Sequence, residues 1–214
     1  MALKRITAST VSCVSLDEIK SFLRLSTSTT EDTLLTAFIK AAESYAENYM
    51  KRSINKQQWE LRLNSFSEPP ENCNHSDNFL WQRGDIELPR PPLTSSSSEV
   101  EITYVDDATA GTTTSVESSA VTIDYFSEPG KVYPSYDNEW PEAAEVRDAV
   151  RIIYYSGYAT SNLVPEPIKQ WVKLRVGAMY ENRESLMVGS GNFISELPHS
   201  YVDGLLDEFT VPSV

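Results

Sequence analysis

Two histidines, His75 and His199, and two cysteines, Cys13 and Cys73, are the chain's whole supply of imidazole and thiol. A structural zinc site draws its ligands in closely spaced pairs. Cys73 and His75 would make one half of such a site, and no second pair completes it. Neither cysteine stands in a CxxC spacing, so free thiols are expected rather than a disulfide framework. There is no GxSxG elbow and no Ser–His–Asp order for nucleophilic catalysis. Gly189–Ser190–Gly191 lacks the third glycine and the preceding strand of a dinucleotide loop, and no Walker loop exists. Carboxylates abound, Glu139, Glu142 and Glu145 among them, and any two could act as acid and base. Spacing selects no pair, and a solvated acidic face accounts for them all. The expectation is a chain with no catalytic residue, no metal and no cofactor.

Aromatic side chains are the other candidates. Trp59, Trp81, Trp140 and Trp171 could form a stacking platform for sugars or bases. Trp59 and Trp171 fall on apolar faces, where packing is their expected role. Trp81 and Trp140 fall in loops, open to an interface.

Charge narrows the classes further. The net charge is −13. Residues 1–58 carry a small positive excess, and almost all the negative charge lies between 59 and 165. A nucleic-acid grip needs clustered Lys and Arg, which that distribution lacks. No apolar run approaches the roughly 20 residues that span a bilayer. The N-terminus, MALKRITASTVSCVSL, has no apolar h-region, so a cytoplasmic protein, or a particle assembled there, is expected.

The elements behind these residues read as helices, then strands, then a helix. Ser15 and Glu18 have capping-box spacing, and Leu16, Ile19, Phe22 and Leu23 predict a helix over 16–24. A second helix runs to about Lys51, its start capped from the Ser26–Thr30 stretch, with Leu35, Phe38, Ile39, Ala42 and Ala46 on one face. Past Lys56 the period falls to two, with Trp59, Leu61 and Leu63 alternating against polar neighbours. Short strands follow at 85–88, 100–105, 121–126, 131–133 and 150–155, with 106–115 as a loop tip. The strongest helix is 165–187, entered through Pro165 and Pro167 and apolar over most of its girth. Gly189–Gly191 leads to a weakly amphipathic end with Val202, Leu205, Leu206 and Phe209. The expected fold class is α+β: a small helical bundle from 1–56 and 165–214, with an antiparallel β domain, 57–164, inserted in it.

The order of segments resembles the head–tail connector (adaptor) proteins of tailed phages. The segments are Val14–Leu25 (VSLDEIKSFLRL), Leu35–Arg52 (LTAFIKAAESYAENYMKR), Gln58–Leu63 (QWELRL) and Ile86–Leu93 (IELPRPPL). Thr103–Val105, Glu128–Val132 (EPGKV), Trp140–Pro141, Pro165–Glu184 and Ser195–Pro198 (SELP) continue the set. The resemblance implies a structural virion protein of the phage neck that forms a ring, a dodecamer, around the DNA channel. It implies a portal protein on one side and the next neck or tail-completion protein on the other. DNA would pass without sequence-specific binding, and no membrane is involved. Assembly would occur in the host bacterial cytoplasm. Portal docking through the C-terminal region would fall to Phe193, Ile194, Leu205, Leu206 and Phe209. Leu205, Leu206 and Phe209 could equally cover the helical core. The alternative is a DNA-packaging accessory protein, like a terminase small subunit, using Lys20, Arg24, Lys40, Lys51 and Arg52.

Overall fold

The computed structural model describes residues 1–25, 29–66, 84–94, 99–108, 111–181 and 199–211. In chain order the elements are β1 (Ala2–Thr7), α1 (Leu16–Phe22), α2 (Asp32–Met50), β2 (Gln57–Leu63), β3 (Ile86–Leu88) and β4 (Val100–Val105). They continue with β5 (Thr113–Ser115), β6 (Val121–Asp124), β7 (Gly130–Pro134), β8 (Val150–Ser156), α3 (Glu166–Glu181) and α4 (His199–Asp207). Helices and antiparallel sheets together make the α+β class that the sequence predicts. The chain divides into two units.

Thr10–Asn55 and Tyr158–Thr210 form the helical unit. Ser15 caps α1 through a full capping box: its hydroxyl accepts from the Glu18 N–H at 3.2 Å, and Glu18 accepts from the Ser15 N–H at 3.0 Å. α2 starts differently from expectation. Glu31 holds the cap position without a side-chain cap hydrogen bond, and Asp32 puts negative charge on the first turn. Lys51 closes α2 in the left-handed conformation, φ 53°. Leu35, Ile39, Ala42, Ala46 and Met50 of α2 are buried with Ile168, Trp171, Val172 and Val176 of α3. Phe38 packs against the same core as Trp171. Each fully buried Leu or Ile there contributes about 2 kcal/mol. α3 keeps a wet face, with Glu166, Gln170, Arg175, Ala178 and Glu181 exposed. It is therefore less fully enclosed than its composition predicts, because its neighbours cover only one stripe.

Met1–Ser9 and Lys56–Gly157 form the sheet unit. One sheet has the order β1-β2-β8-β4-β5 and the other β3-β7-β6. Every pairing is antiparallel. Leu61 stands opposite Ile152 and Leu3, and Ile152 opposite Ile102, so one face of the larger sheet is continuously apolar. That face shares a core with Ile86, Leu88 and Val132 of the smaller sheet. Gly130 starts β7 because nothing larger fits: a Cβ there would lie 2.2 Å from the Leu93 side chain.

The sequence pattern predicts neither β1 nor β5. It places residues 2–7 in the helical region, yet they pair with β2. The expected 106–115 loop tip ends in β5, paired with β4. Both are edge strands that bury little, so neither carries an apolar alternation to read.

Candidate functional site

The C-terminal residues singled out from sequence fall in two groups. Phe193 and Ile194 lie outside the described residues. Leu205, Leu206 and Phe209 lie on and just after α4, turned toward the helical core. Leu206 is fully buried, while Leu205 and Phe209 are half-buried beside Val202. Three polar ties hold α4 in place. Trp171 donates from Nε1 to Asp203 at 3.1 Å, Tyr49 donates its hydroxyl to Asp207 at 2.8 Å, and Arg52 Nε donates to the Phe209 carbonyl at 3.0 Å. The bond to Asp207, then partial burial and the Asp207 charge, push the Tyr49 hydroxyl above its ordinary pKa. Tyr45 stacks on Trp171 with centroids 5.6 Å apart, and Arg175 lies over Tyr45. Sequence periodicity found the apolar stripe and missed these ties, because Trp171, Tyr49 and Arg52 are far from α4 along the chain.

Cys73, His75, Trp81 and Gly189–Gly191 lie outside the described residues. Among the described residues, no group of three or more His, Cys, Asp or Glu is placed to hold a metal ion. Glu139, Glu142 and Glu145 are exposed. Cys13 is buried; burial first, then the Glu43 charge, pushes its thiol far above the ordinary range. Trp59 is buried under the Arg90 guanidinium. Trp140 stacks on Phe66 at 4.6 Å and donates to the Gly84 carbonyl at 2.6 Å, so it is committed to packing.

Buried charge supports the frame. Glu43, 8% exposed, accepts from the Cys13 N–H at 2.6 Å and from Asn55 Nδ2 at 3.2 Å. Glu47 accepts from the Ile54 N–H at 2.9 Å. In the sheet unit, Glu60 meets Arg62 at 2.8 Å and Arg151 at 2.6 Å. Burial opposes its ionisation, but the two guanidinium groups outweigh that and hold its carboxyl below the ordinary range.

The cations of the DNA-packaging alternative are partly used up. Lys20 pairs with Asp32, and Arg52 is buried against Phe209. Arg24, Lys40 and Lys51 are exposed.

Residues 13–77 match the family described as Phage gp6-like head-tail connector protein. The match covers α1, α2 and β2, less than half of the chain, and bears out the connector resemblance over that part. No curated protein matches in sequence. Among solved structures, a chain from the neck of an empty GTA particle computed with C6 symmetry superposes with a TM-score of 0.72 at 20% identity. It covers 100% of this chain and 97% of that one. A chain from the virion of a native gene transfer agent particle gives 0.69 at 20% identity, again covering 100% and 97%. A chain from the neck of a native GTA particle computed with C12 symmetry gives 0.67 at 17%, with the same coverage. At such identities the likeness establishes the fold.

Proposed function

We propose that the chain is a structural head–tail connector of a tailed phage or phage-like particle. Copies form a ring, a dodecamer in this reading, that docks on the portal and presents a platform to the next neck or tail component. The ring surrounds the DNA channel, and the chain catalyses nothing. Assembly takes place in the host bacterial cytoplasm. The carrying observation is that the whole chain, helical and sheet units alike, has the fold of chains from phage-like necks. The connector-family match over 13–77 supports the same reading from sequence.

Portal docking belongs to the C-terminal region in this reading. Phe193 and Ile194 are proposed anchors, and so are the half-buried Leu205 and Phe209. Leu206 is buried and serves by holding α4 on the core. Electron microscopy of particles carrying a tagged copy tests the role. The tag is expected as a ring between capsid and tail, and particles lacking the chain are expected to be tailless. A tag elsewhere, or tails joined without the chain, overturns the proposal.

A further inference from the structure

The five-stranded sheet ends in two outer edges. Among the described residues β1 has one neighbouring strand, β2, and β5 has one, β4. An edge strand offers backbone N–H and C=O groups to any strand laid beside it, and proteins guard such edges with charge, shortness or cover. β5 is three residues long. β1 is six residues long and exposed throughout except for the half-buried Leu3.

Their charges are opposite. Residues 1–16 contain Lys4 and Arg5 and no carboxylate. Around β5 stand Glu101, Asp107 and Glu117, all exposed. The faces agree as well. Lys4 is opposite Glu60, Glu60 opposite Ile153, and Ile153 opposite Glu101, so Lys4 and Glu101 project from one face of the sheet. Leu3 is opposite Leu61, Leu61 opposite Ile152, and Ile152 opposite Ile102, so Leu3 and Ile102 share the other face. Beside β5 lies a groove of about 540 Å³ whose lining mixes Ile102, Val116, Val121 and Ile123 with Glu101 and Ser115.

We infer that β1 of one copy adds to the β5 edge of a second copy, with Leu3 on the face that Ile102 shares and Lys4 on the acidic face. Charge selects this pairing over the symmetric ones. Joining β1 to β1 would set Lys4 and Arg5 against their own counterparts, and joining β5 to β5 would set acid on acid. A contact between two unlike edges is heterologous, and it closes into a ring when the rotation per copy divides the circle. The ring is taken from the connector reading; the edges and their charges are not.

The test mixes ¹⁵N-labelled and unlabelled full-length chain, in solution and in isolated necks, and applies a zero-length carbodiimide cross-linker. Peptides joining Lys4 of one isotope to Glu101, Asp107 or Glu117 of the other are expected. Lys4→Glu is expected to remove them and to weaken self-association about tenfold in sedimentation, with unchanged circular dichroism. Adding Glu101→Lys and Glu117→Lys to that variant is expected to restore association. Same-isotope links alone, association indifferent to Lys4→Glu, or no self-association in either setting overturns the inference. A chain found at the neck with Lys4 joined elsewhere defeats this contact and leaves the connector role standing. A chain absent from necks defeats the connector role itself.

Discussion

Glu43 sits on the buried face of α2, between Ile39 and Ala46 in the core stripe, and its carboxylate takes hydrogen bonds from Cys13 and Asn55. A charge in that position is tolerated because it accepts from groups that would otherwise be buried without a partner. Glu43→Ala removes the acceptor and leaves the Cys13 N–H and the Asn55 amide unpaired. The expected loss is about 2–3 kcal/mol in urea unfolding, and Glu43→Gln, which keeps a carbonyl oxygen, should lose less. The neighbouring Cys13 thiol is buried and strongly held in its protonated form. Iodoacetamide at about pH 8 should leave it unmodified in the folded chain and label it after denaturation. Glu60 supplies the pH dependence. Its ordinary pKa is 4.5 and Arg62 and Arg151 lower it in the fold, so the folded state binds this proton less readily than the unfolded chain. Its contribution is full above the ordinary value and lost as pH falls through the depressed one. Acid titration of wild type against Glu60→Gln should show stabilities that differ at neutral pH and converge in strong acid.

Among the elements, α4 is the one with most riding on its placement. Leu206 fills the helical core, and the Asp203, Asp207 and Phe209 contacts tie the helix to α2 and α3. Leu206→Ala should cost about 2–5 kcal/mol through the cavity it leaves. Trp171→Phe, which keeps most of the ring and loses the bond to Asp203, should cost about 1 kcal/mol beyond its lost area. Hydrogen exchange in α4 should rise in both variants. The main helices were legible because burial on one side leaves a period of 3.6 in Leu35, Ile39, Ala42 and Ala46, or in Ile168, Trp171, Val172 and Val176. β2 was legible because Trp59, Leu61 and Leu63 alternate. β1 and β5 were not, since an edge strand held by backbone bonds needs no apolar pattern. The polar frame of Glu43, Glu47 and Glu60 was equally hidden. In sequence these residues read as solvated charges, and only the tertiary fold brings Asn55, Ile54 and Arg151 to them.

For the whole molecule, the distribution of charge separates the two roles that sequence leaves open. A packaging accessory must hold DNA, and binding that displaces counterions weakens steeply as salt rises. This chain carries −13 overall, concentrated between residues 59 and 165. The small positive excess at the start is further reduced as an available surface, because Lys20 is paired to Asp32 and Arg52 faces the carbonyl of Phe209. What remains exposed there, Lys4 and Arg5 on β1 and Arg24, Lys40 and Lys51 in the helical unit, is spread over separate elements and accompanied by the exposed Asp17 and Glu18, which is too sparse to follow a phosphate backbone. A wall past which DNA must slide has the opposite requirement, and net negative charge meets it by keeping phosphates at a distance. The expected outcome is therefore no retardation of duplex DNA by the isolated chain even at about 50 mM salt, where electrostatic binding is strongest. Fluorescence anisotropy against a random duplex measures it directly. Micromolar binding that falls away between about 50 and 200 mM salt would instead place the exposed cations of residues 1–58 on DNA and favour the packaging role.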